Sequence, residues 1–189
     1  RNFGEKVKAK VLYFSSRRSL ENGIYLEDGN IIYCHEKICH VDELKLLGMH
    51  NYENVMAAVA MAAAYKVPLE IIRRTIREFT AVEHRIEFVA EKNGVAYYND
   101  SKGTNPDAAI KGIQAMNRPT ILIGGGYDKD SSYEEWIRSF DGKVKKLVLL
   151  GATKEKINET AKRLGFTDTI LTDTFEEAVH TCVKLAEPG

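Results

Sequence analysis

The stretch Thr120-Ile121-Leu122-Ile123-Gly124-Gly125-Gly126 is a short apolar run that ends in glycines, and Leu147-Val148-Leu149-Leu150-Gly151 repeats that pattern further along the chain. Short apolar runs bounded by turn residues are typical of strands buried on both faces of a parallel sheet. A third run, Thr169-Ile170-Leu171, follows the second. Segments with helix signals separate the three runs, so the sequence predicts an α/β fold with a mostly parallel sheet.

The segments between these strands carry signals for the start of helices. Asn105 followed by Pro106 is a cap residue with proline at the first helical position. Two pairs of residues have the spacing of a capping box, namely Ser132 with Glu135 and Thr174 with Glu177. Strands that alternate with helices in this way predict a Rossmann-like, doubly wound sheet.

The first part of the chain has a different pattern. Asp28-Gly29 lies between two β-prone runs and predicts a hairpin, as Asn93-Gly94 does at the start of the second part. A helix is predicted from about Asn51 to Tyr65. Pro68 then opens a second helix, whose spacing predicts a buried face of Leu69, Ile72, Ile76 and Phe79.

The chain has 189 residues, the size of one large domain or of a small domain with a piece of another. Its pattern changes between Thr80 and Glu83, where we expect a domain boundary. Residues 1–82 would then form a strand and hairpin region with two helices, and residues 83–189 the domain with the parallel sheet.

The composition excludes several classes of protein. The chain is 44% hydrophobic and 29% charged, which is ordinary for a globular protein. Lys plus Arg equals Asp plus Glu, at 27 each, so no overall field attracts nucleic acid or anionic lipid and any anion site must be local. No apolar run is long enough to span a membrane, and Arg1–Lys6 lacks the apolar stretch of a signal peptide, which predicts a cytoplasmic protein.

The three cysteines argue against a disulfide framework. Cys34-His35 and Cys39-His40 resemble a metal cluster, but their spacing differs from that of zinc knuckles. We therefore expect no metal site here and interpret these residues as semi-exposed positions on a small sheet.

The segment after the second hairpin strand carries the densest chemistry. Open parallel sheets bind ligands at the carboxyl ends of their strands. Asn99-Asp100-Ser101-Lys102-Gly103-Thr104-Asn105 supplies a carboxylate, an ammonium group and hydroxyls beside a helix N-terminus. Lys102 and the helix N-terminus suit a phosphate or carboxylate ligand, and Asp100 can accept a hydrogen bond from a ribose hydroxyl. The alternative is a polar loop that ends in an ordinary asparagine cap.

The next strand is followed by Gly124-Gly125-Gly126-Tyr127-Asp128-Lys129-Asp130. Glycines allow a ligand to approach the backbone closely. The spacing does not fit the dinucleotide fingerprint, and no G-x-x-x-x-G-K-[ST] loop occurs in the chain. Lys129 is therefore a candidate for binding an anionic substrate, and we expect it to converge with Lys102.

Two earlier blocks complete the set. Gly48-Met49-His50-Asn51-Tyr52-Glu53-Asn54 opens the first long helix, and its amides could bond the edge of a planar base, although Asn51 could also be a simple cap. Glu83-His84-Arg85 lies at the expected domain boundary, where ligand sites are frequent. Arg85 could reach a nucleotide or form an ion pair between domains.

These four blocks, in this order, resemble the Mur ligases of peptidoglycan synthesis. The block from Gly48 to Asn54 is similar to their G-x-H-N-x-x-N element, and the stretch from Phe79 to Glu87 looks like their domain junction. The block from Asn99 to Asn105 is similar to the N-D-S-K-A-T-N element of the members that add D-glutamate, with Gly103 where alanine is commoner. Gly124-Gly125 with Asp128-Lys129 fits as well. The resemblance covers residue 45 to the end of the chain.

The resemblance implies an ATP- and Mg²⁺-dependent ligase that adds D-glutamate to UDP-N-acetylmuramoyl-L-alanine through an acyl phosphate. It implies that Asn54 contacts the adenine, Asp100 the ribose, and Arg85 the nucleotide. Thr104 and Lys129 would bind the carboxylates of D-glutamate, with Lys102 near the phosphate or the amino acid. The remaining motif residues are His50, Asn51, Asn99, Ser101, Asn105, Gly124, Gly125 and Asp128.

The chain departs from the family in what it lacks. The P-loop, the segment with the magnesium ligands and the last serine-containing substrate loop do not occur in it. The last helix is followed only by Glu187-Pro188-Gly189, where the alternation predicts another strand. The resemblance therefore implies the end of the central ATP-binding domain (1–82) and most of the C-terminal domain (83–189), with no catalytic residue assigned.

Two alternatives belong to different classes. One is another ligase of the superfamily, such as a sister Mur enzyme or a folylpolyglutamate synthetase. Assays of the full-length protein with D-glutamate, L-alanine, meso-diaminopimelate and folate would separate these. The other is a non-catalytic α/β binding module, which the absence of a G-K-[ST] loop in the neighbouring coding sequence would favour.

We predict that the isolated 189-residue chain does not catalyse ligation, because it has no segment that can grip the ATP phosphates. The measurement is product formation by the purified chain with ATP, D-glutamate and the UDP-linked acceptor. ATP- and D-glutamate-dependent product would contradict the prediction.

Overall fold

The computed structural model describes residues 7–9, 11–80 and 82–189, and the predicted absence of an apolar leader at Arg1–Lys6 lies outside them. The chain divides between residues 81 and 82 into two compact units. Each has its own buried core. The assignment of the two units to a central and a C-terminal ligase domain stays a prediction.

The first unit is built on a four-stranded sheet in the order β1-β2-β3-β4. Asp28 and Gly29 form the turn between β2 and β3 with positive φ angles of 47° and 74°, as a two-residue hairpin turn requires, so the predicted hairpin is confirmed. β1 pairs in parallel with β2, and the other pairs are antiparallel. The strands are β1 (Tyr13–Ser15), β2 (Gly23–Glu27), β3 (Asn30–Tyr33) and β4 (Glu36–His40).

Two helices complete the first unit, α1 (Met49–Ala64) and α2 (Leu69–Glu78). Val55, Met56 and Val59 of α1 are buried against Ile24, Ile31 and Ile38 of the sheet. Spacings of three and four residues place one face of each helix toward the core, as the periodicity predicts. Pro68 is the residue that caps α2 and lies just before its first turn.

The second unit begins with an antiparallel hairpin, β5 (Glu87–Lys92) and β6 (Val95–Asn99), turned at Asn93-Gly94. A parallel sheet follows, in the order β7-β8-β9. Its strands are β7 (Thr120–Gly125), β8 (Val144–Leu150) and β9 (Thr169–Leu171). The three apolar runs of the sequence therefore form one parallel sheet, and the predicted α/β class is confirmed.

Helices cover both faces of this sheet. Leu147 and Leu149 of β8 pack into a core with Ile113, Trp136 and Ile157, whereas the intervening Val148 points to the other face. The last helix contacts β7 and β8, and its buried Ala178 lies outside that core. The helices are α3 (Pro106–Ala115), α4 (Glu134–Arg138), α5 (Lys154–Arg163) and α6 (Phe175–Leu185).

Three details of the sequence prediction are wrong. Ser132 does not cap α4, which begins two residues later after Tyr133 and has no side-chain cap; burial of Trp136 and Ile137 holds this short helix. Phe79 is 51% exposed, because the chain becomes extended at this residue and leaves the helical phase. Cys39 is fully buried rather than semi-exposed, and burial raises the pKa of its thiol to about 11.

Two features are absent from the residues that the structure describes. No helix among them has the length and apolar character needed to cross a membrane. Within the same ranges, no three His, Cys, Asp or Glu side chains group closely enough to hold a metal ion.

Gly124 provides a test of the second core, because it lies against the ring of Trp136. A Cβ atom at position 124 would be 2.7 Å from Cη2 of that ring, which is only 5% exposed. We predict that Gly124→Ala destabilises the unit by about 1–3 kcal/mol through overpacking. Urea unfolding followed by circular dichroism measures the change. A smaller ring should relieve it, so an equal cost in a Trp136→Phe background would contradict this cause.

Candidate ligand-binding site

The candidate site is built around the segment 99–105, which connects β6 to α3. Its backbone is folded by short-range hydrogen bonds. Ser101 N donates to Asn99 Oδ1 (3.0 Å), Gly103 N to Asp100 O (2.8 Å), and Thr104 N to Lys102 O (2.9 Å). Side chains of this segment are therefore presented on a compact turn rather than on an open loop.

A second segment, residues 84–87, is bonded to this turn. Lys102 N donates to His84 O (2.9 Å), and Asn99 Nδ2 lies 2.9 Å from His84 Nδ1. Ile86 N donates to Asp100 Oδ1 (3.0 Å). The two sequence blocks that were singled out separately, Glu83-His84-Arg85 and Asn99 to Asn105, therefore form one hydrogen-bonded structure.

Ile86 has an unusual backbone in this structure. Its φ is +47°, in the left-handed region that β-branched residues rarely adopt. The side chain is buried, and the amide is bonded to Asp100. Burial and this hydrogen bond offset a backbone cost of order 1–3 kcal/mol. The segment 84–87 is therefore held in a conformation that the local sequence alone disfavours.

The Asp100 carboxylate occupies a narrow space between the turn and α3. A Cβ atom at Gly112 would lie 2.7 Å from Asp100 Oδ2, and one at Gly103 would lie 2.9 Å from it. Both glycines therefore make room for this carboxylate. Asp100 is half-buried and bonded to the Ile86 amide, so it has a structural role that sequence reasoning did not anticipate.

α3 begins where the candidate site ends. Asn105 Oδ1 accepts a hydrogen bond from Ala108 N (2.9 Å), and Pro106 is the first helical residue, as predicted. The helix N-terminus thus lies directly after Thr104, and its dipole favours negative charge nearby.

The glycine run at the end of β7 mainly allows close packing and hydrogen bonding between backbone segments. Gly125 has a φ of +118°, and a Cβ there would be 2.0 Å from Leu150 O, so β7 and β8 approach too closely for any side chain. Gly126 N donates to Leu150 O (3.1 Å), and Gly126 O accepts from Thr153 N (3.1 Å). Open space surrounds the Cβ position of Gly126, which makes it the glycine of this run with room beside its backbone.

Lys129 is brought to the 99–105 turn. Its Nζ donates to the main-chain oxygen of Thr104 (3.3 Å), and Lys102, Thr104 and Lys129 are all exposed. Two of the three residues predicted to bind the amino acid are therefore adjacent in space. The structure gives no direct contact between Lys102 and Lys129 among the described residues.

Sequence reasoning missed Lys156, which lies on α5. Its Nζ is 3.2 Å from Asp128 Oδ2 and 3.3 Å from Asp128 Oδ1. The Lys156 ammonium lowers the pKa of the Asp128 carboxyl, and the Asp130 amide adds to this effect. An exposed lysine on a polar helix face carries no signal in one sequence, so it could not have been selected without the fold.

The block in the first unit is placed at the start of α1. Gly48, with a φ of +92°, is the cap residue, and Asn51 Nδ2 instead donates back to Leu47 O (2.8 Å), so Asn51 is not the cap. Asn54 is exposed one turn further along, and His50 is half-buried. In the second unit Arg85 is exposed.

Comparison with known proteins gives consistent results. The family described as "Mur ligase, glutamate ligase domain" matches residues 84–189. A protein of Lachnoclostridium phytofermentans named UDP-N-acetylmuramoylalanine–D-glutamate ligase is 53% identical over 193 residues, which cover 100% of this chain and 42% of the relative. A protein of the same name from Clostridioides difficile is 44% identical and covers 100% of this chain and 43% of the relative. The chain thus spans less than half the length of these relatives.

Solved structures show the same fold at lower identity. The UDP-N-acetylmuramate–alanine ligase of Thermotoga maritima superposes with a TM-score of 0.69 at 15% identity, covering 93% of this chain and 42% of that one. A folylpolyglutamate synthase from the same organism has a TM-score of 0.57 at 21% identity and covers 85% and 37%.

A parallel sheet covered by helices, with cationic side chains and a helix N-terminus near its strand ends, defines an α/β domain suited to small anionic ligands. The family match covers more than half of the chain. The chain belongs to the Mur ligase family.

We predict that the carboxyl of Asp128 titrates below the ordinary aspartate value because of the Lys156 ammonium. A lowered folded-state pKa means that this ion pair stabilises the loop above the unfolded pKa and is lost as pH falls through the folded value. NMR titration of the Asp128 carboxyl carbon measures this pKa.

Lys156→Gln should raise the titration midpoint of Asp128 without restoring the ordinary value fully, since the hydrogen bond from the Asp130 amide remains. Lys146→Gln, which removes an ion pair with Asp168 elsewhere on the sheet, is the control. Equal midpoints in wild type and Lys156→Gln would contradict the assignment.

Proposed function

We propose that this chain is part of an ATP-dependent ligase that adds D-glutamate to UDP-N-acetylmuramoyl-L-alanine in peptidoglycan synthesis in the bacterial cytoplasm. The observation that carries the proposal is the contact of Lys129 Nζ with the 99–105 turn at Thr104 (3.3 Å). This contact joins the two sequence elements proposed to bind D-glutamate. The 53% identity to a relative named for this reaction supports the same function.

The charges around the turn suit an amino acid with two carboxylates. Lys129 and Lys102 are exposed cations, Thr104 adds a hydroxyl donor, and the N-terminus of α3 adds a positive dipole end. The chain has no net charge, so this attraction is local. We assign the D-glutamate carboxylates to Lys129 and Thr104, and we place Lys102 beside the phosphate or the amino acid.

Three residues are assigned to the nucleotide. Asn54 is proposed to contact the adenine, Asp100 the ribose, and Arg85 the nucleotide. Asp100 Oδ1 already accepts a hydrogen bond from the Ile86 amide. A ribose hydroxyl would therefore bind the same carboxylate as this amide. A carboxylate has enough acceptor positions for both.

The reaction proposed for the whole protein proceeds in two steps. The γ-phosphate of ATP is transferred to the carboxylate of the UDP-linked substrate, and the amine of D-glutamate then attacks the acyl phosphate and expels phosphate. This chain's part is to bind the two carboxylates of D-glutamate and thereby orient its amine, which lowers the entropic cost of the attack. The P-loop and the Mg²⁺ ligands are proposed to come from the part of the relatives' length that this chain does not cover.

A sister ligase of the same fold is the second candidate, because the alanine-adding enzyme and the folylpolyglutamate synthase share the architecture. The 99–105 element favours D-glutamate over these substrates. A preference of the full-length protein for L-alanine, meso-diaminopimelate or a folate would overturn the proposal.

Two substitutions should separate the two substrates in the full-length protein. Losing a charged hydrogen-bond partner costs about 1.5–3 kcal/mol, so Lys129→Ala should raise the KM for D-glutamate about 10- to 150-fold and change the KM for ATP little. Asp100→Ala should act mainly on ATP. Steady-state kinetics with each substrate varied in turn measure both.

The control is Lys145→Ala, an exposed lysine near the start of β8. It should leave both KM values unchanged. If Lys129→Ala raised both KM values equally, or neither, the assignment of Lys129 to D-glutamate would be wrong. Because Asp100 also holds the junction, circular dichroism should establish that Asp100→Ala is folded.

A further inference from the structure

Lys129 lies between two carboxylates in the sequence, Asp128 and Asp130. A flexible lysine beside two aspartates would be expected to pair with them, and its charge would then be unavailable to a ligand. In the described residues, no carboxylate forms an ion pair with Lys129, whose ammonium contacts Thr104 O instead. The carboxylates of Asp128 and Asp130 are therefore paired with a different cation.

Lys156 contacts both of these carboxylates. Its Nζ is within 3.3 Å of both Asp128 oxygens and 3.8 Å from Asp130 Oδ1. The same ammonium lies 5.6 Å from the centre of the Tyr133 ring, which is a cation–π distance. One cation is thus surrounded by two carboxylates and an aromatic face, all on the loop after β7 or at the start of α4.

The position of Lys156 is set by a well-anchored helix. Ile157, the next residue, is 1% exposed in the core of the second unit. Lys154 donates to Thr172 O (3.2 Å) and Asp173 Oδ1 (2.6 Å), which fastens the first turn of α5 to the end of β9. The loop after β7 is therefore held from a rigid element rather than from another loop.

The loop itself is turned around Lys129. Asp130 N donates to Asp128 Oδ1 (2.8 Å), and Asp130 has a φ of +55°. This side-chain turn spans Lys129. The same Asp128 oxygen that closes the turn is bonded to Lys156, so the anchor and the turn share one atom.

We propose that Lys156 is a positioning residue for the amino-acid site, which holds Asp128 and Asp130 so that the Lys129 ammonium stays available to a carboxylate ligand. The inference rests on the proposed function and deepens it, because Lys156 itself is not assigned to the ligand. An ammonium that neutralises two flanking carboxylates leaves Lys129 with more of its positive potential toward the 99–105 turn.

The test uses the full-length protein with D-glutamate, ATP and the UDP-linked acceptor. Removing Lys156 should weaken D-glutamate binding by the amount typical of an exposed ion pair. We expect Lys156→Gln to raise the KM for D-glutamate about 2- to 5-fold and to change kcat and the KM for ATP by less. Lys156→Arg should restore the wild-type KM. Lys146→Gln, which loses an ion pair of similar exposure with Asp168, is the matched control and should show no change.

A double substitution separates neutralisation from direct contact with the ligand. If Lys156 acts by holding Asp128 and Asp130, then Lys156→Gln should have little further effect in an Asp128→Asn, Asp130→Asn background, where both carboxylate charges are gone and the turn-closing oxygen of residue 128 is kept. An undiminished rise in that background would mean that Lys156 touches D-glutamate, and it would overturn the proposal, as would an unchanged KM in Lys156→Gln alone. A wild-type protein without D-glutamate-dependent ligation would instead refute the proposed function.

Discussion

The hydrogen bond from the Ile86 amide to the Asp100 carboxylate is the interaction on which the candidate site depends. It joins the segment that enters the second unit to the turn that leaves β6. With Lys102 N bonded to His84 O, it closes 84–87 and 99–103 into one structure. Gly103 and Gly112 keep the space that the carboxylate needs, and the left-handed backbone of Ile86 is tolerated because burial and this bond oppose its cost. These two bonded segments position the 99–105 turn, which Lys129 contacts at Thr104.

Electrostatics add a second constraint. The chain is neutral overall, and the contacts of its charged groups decide where potential remains. Lys154 and Lys156 form ion pairs with carboxylates in the segments that follow β9 and β7. Lys129, in contrast, is bonded only to a main-chain oxygen among the described residues. Hydrogen bonding to a neutral carbonyl leaves the full charge of an ammonium to act on an anion. The local positive potential therefore results from how acidic neighbours are paired more than from the number of lysines.

Much of the fold could be predicted because its signals are local. The apolar runs at Thr120 and Leu147, the two Xaa-Gly hairpin turns and the Asn105-Pro106 cap each carry a short-range pattern that the structure follows. The Ser132 cap and the burial of Phe79 failed because tertiary packing of Trp136 and an early end to α2 override local spacing. In the site, the sequence predicts that Lys102 and Lys129 converge because they follow neighbouring strands of one parallel sheet. That premise is wrong, because β6 pairs with β5 in a separate antiparallel sheet, so the contact of Lys129 with Thr104 does not follow from the strand order. Lys156 and the structural use of Asp100 could not be predicted, because their partners are 28 and 14 residues away.

The ring of Trp136 below Gly124 has a spectroscopic consequence. It is the chain's single tryptophan, packed edge-on against Phe140 with ring centres 5.4 Å apart and 6.3 Å from Tyr133. Tyr133 in turn lies under the Lys156 ammonium that anchors the loop after β7. When this chain is excited at a wavelength that tryptophan absorbs and tyrosine does not, its emission therefore comes from one indole in the second unit. The fluorescence of Trp136 can therefore report on changes near the loop after β7, which carries Lys129.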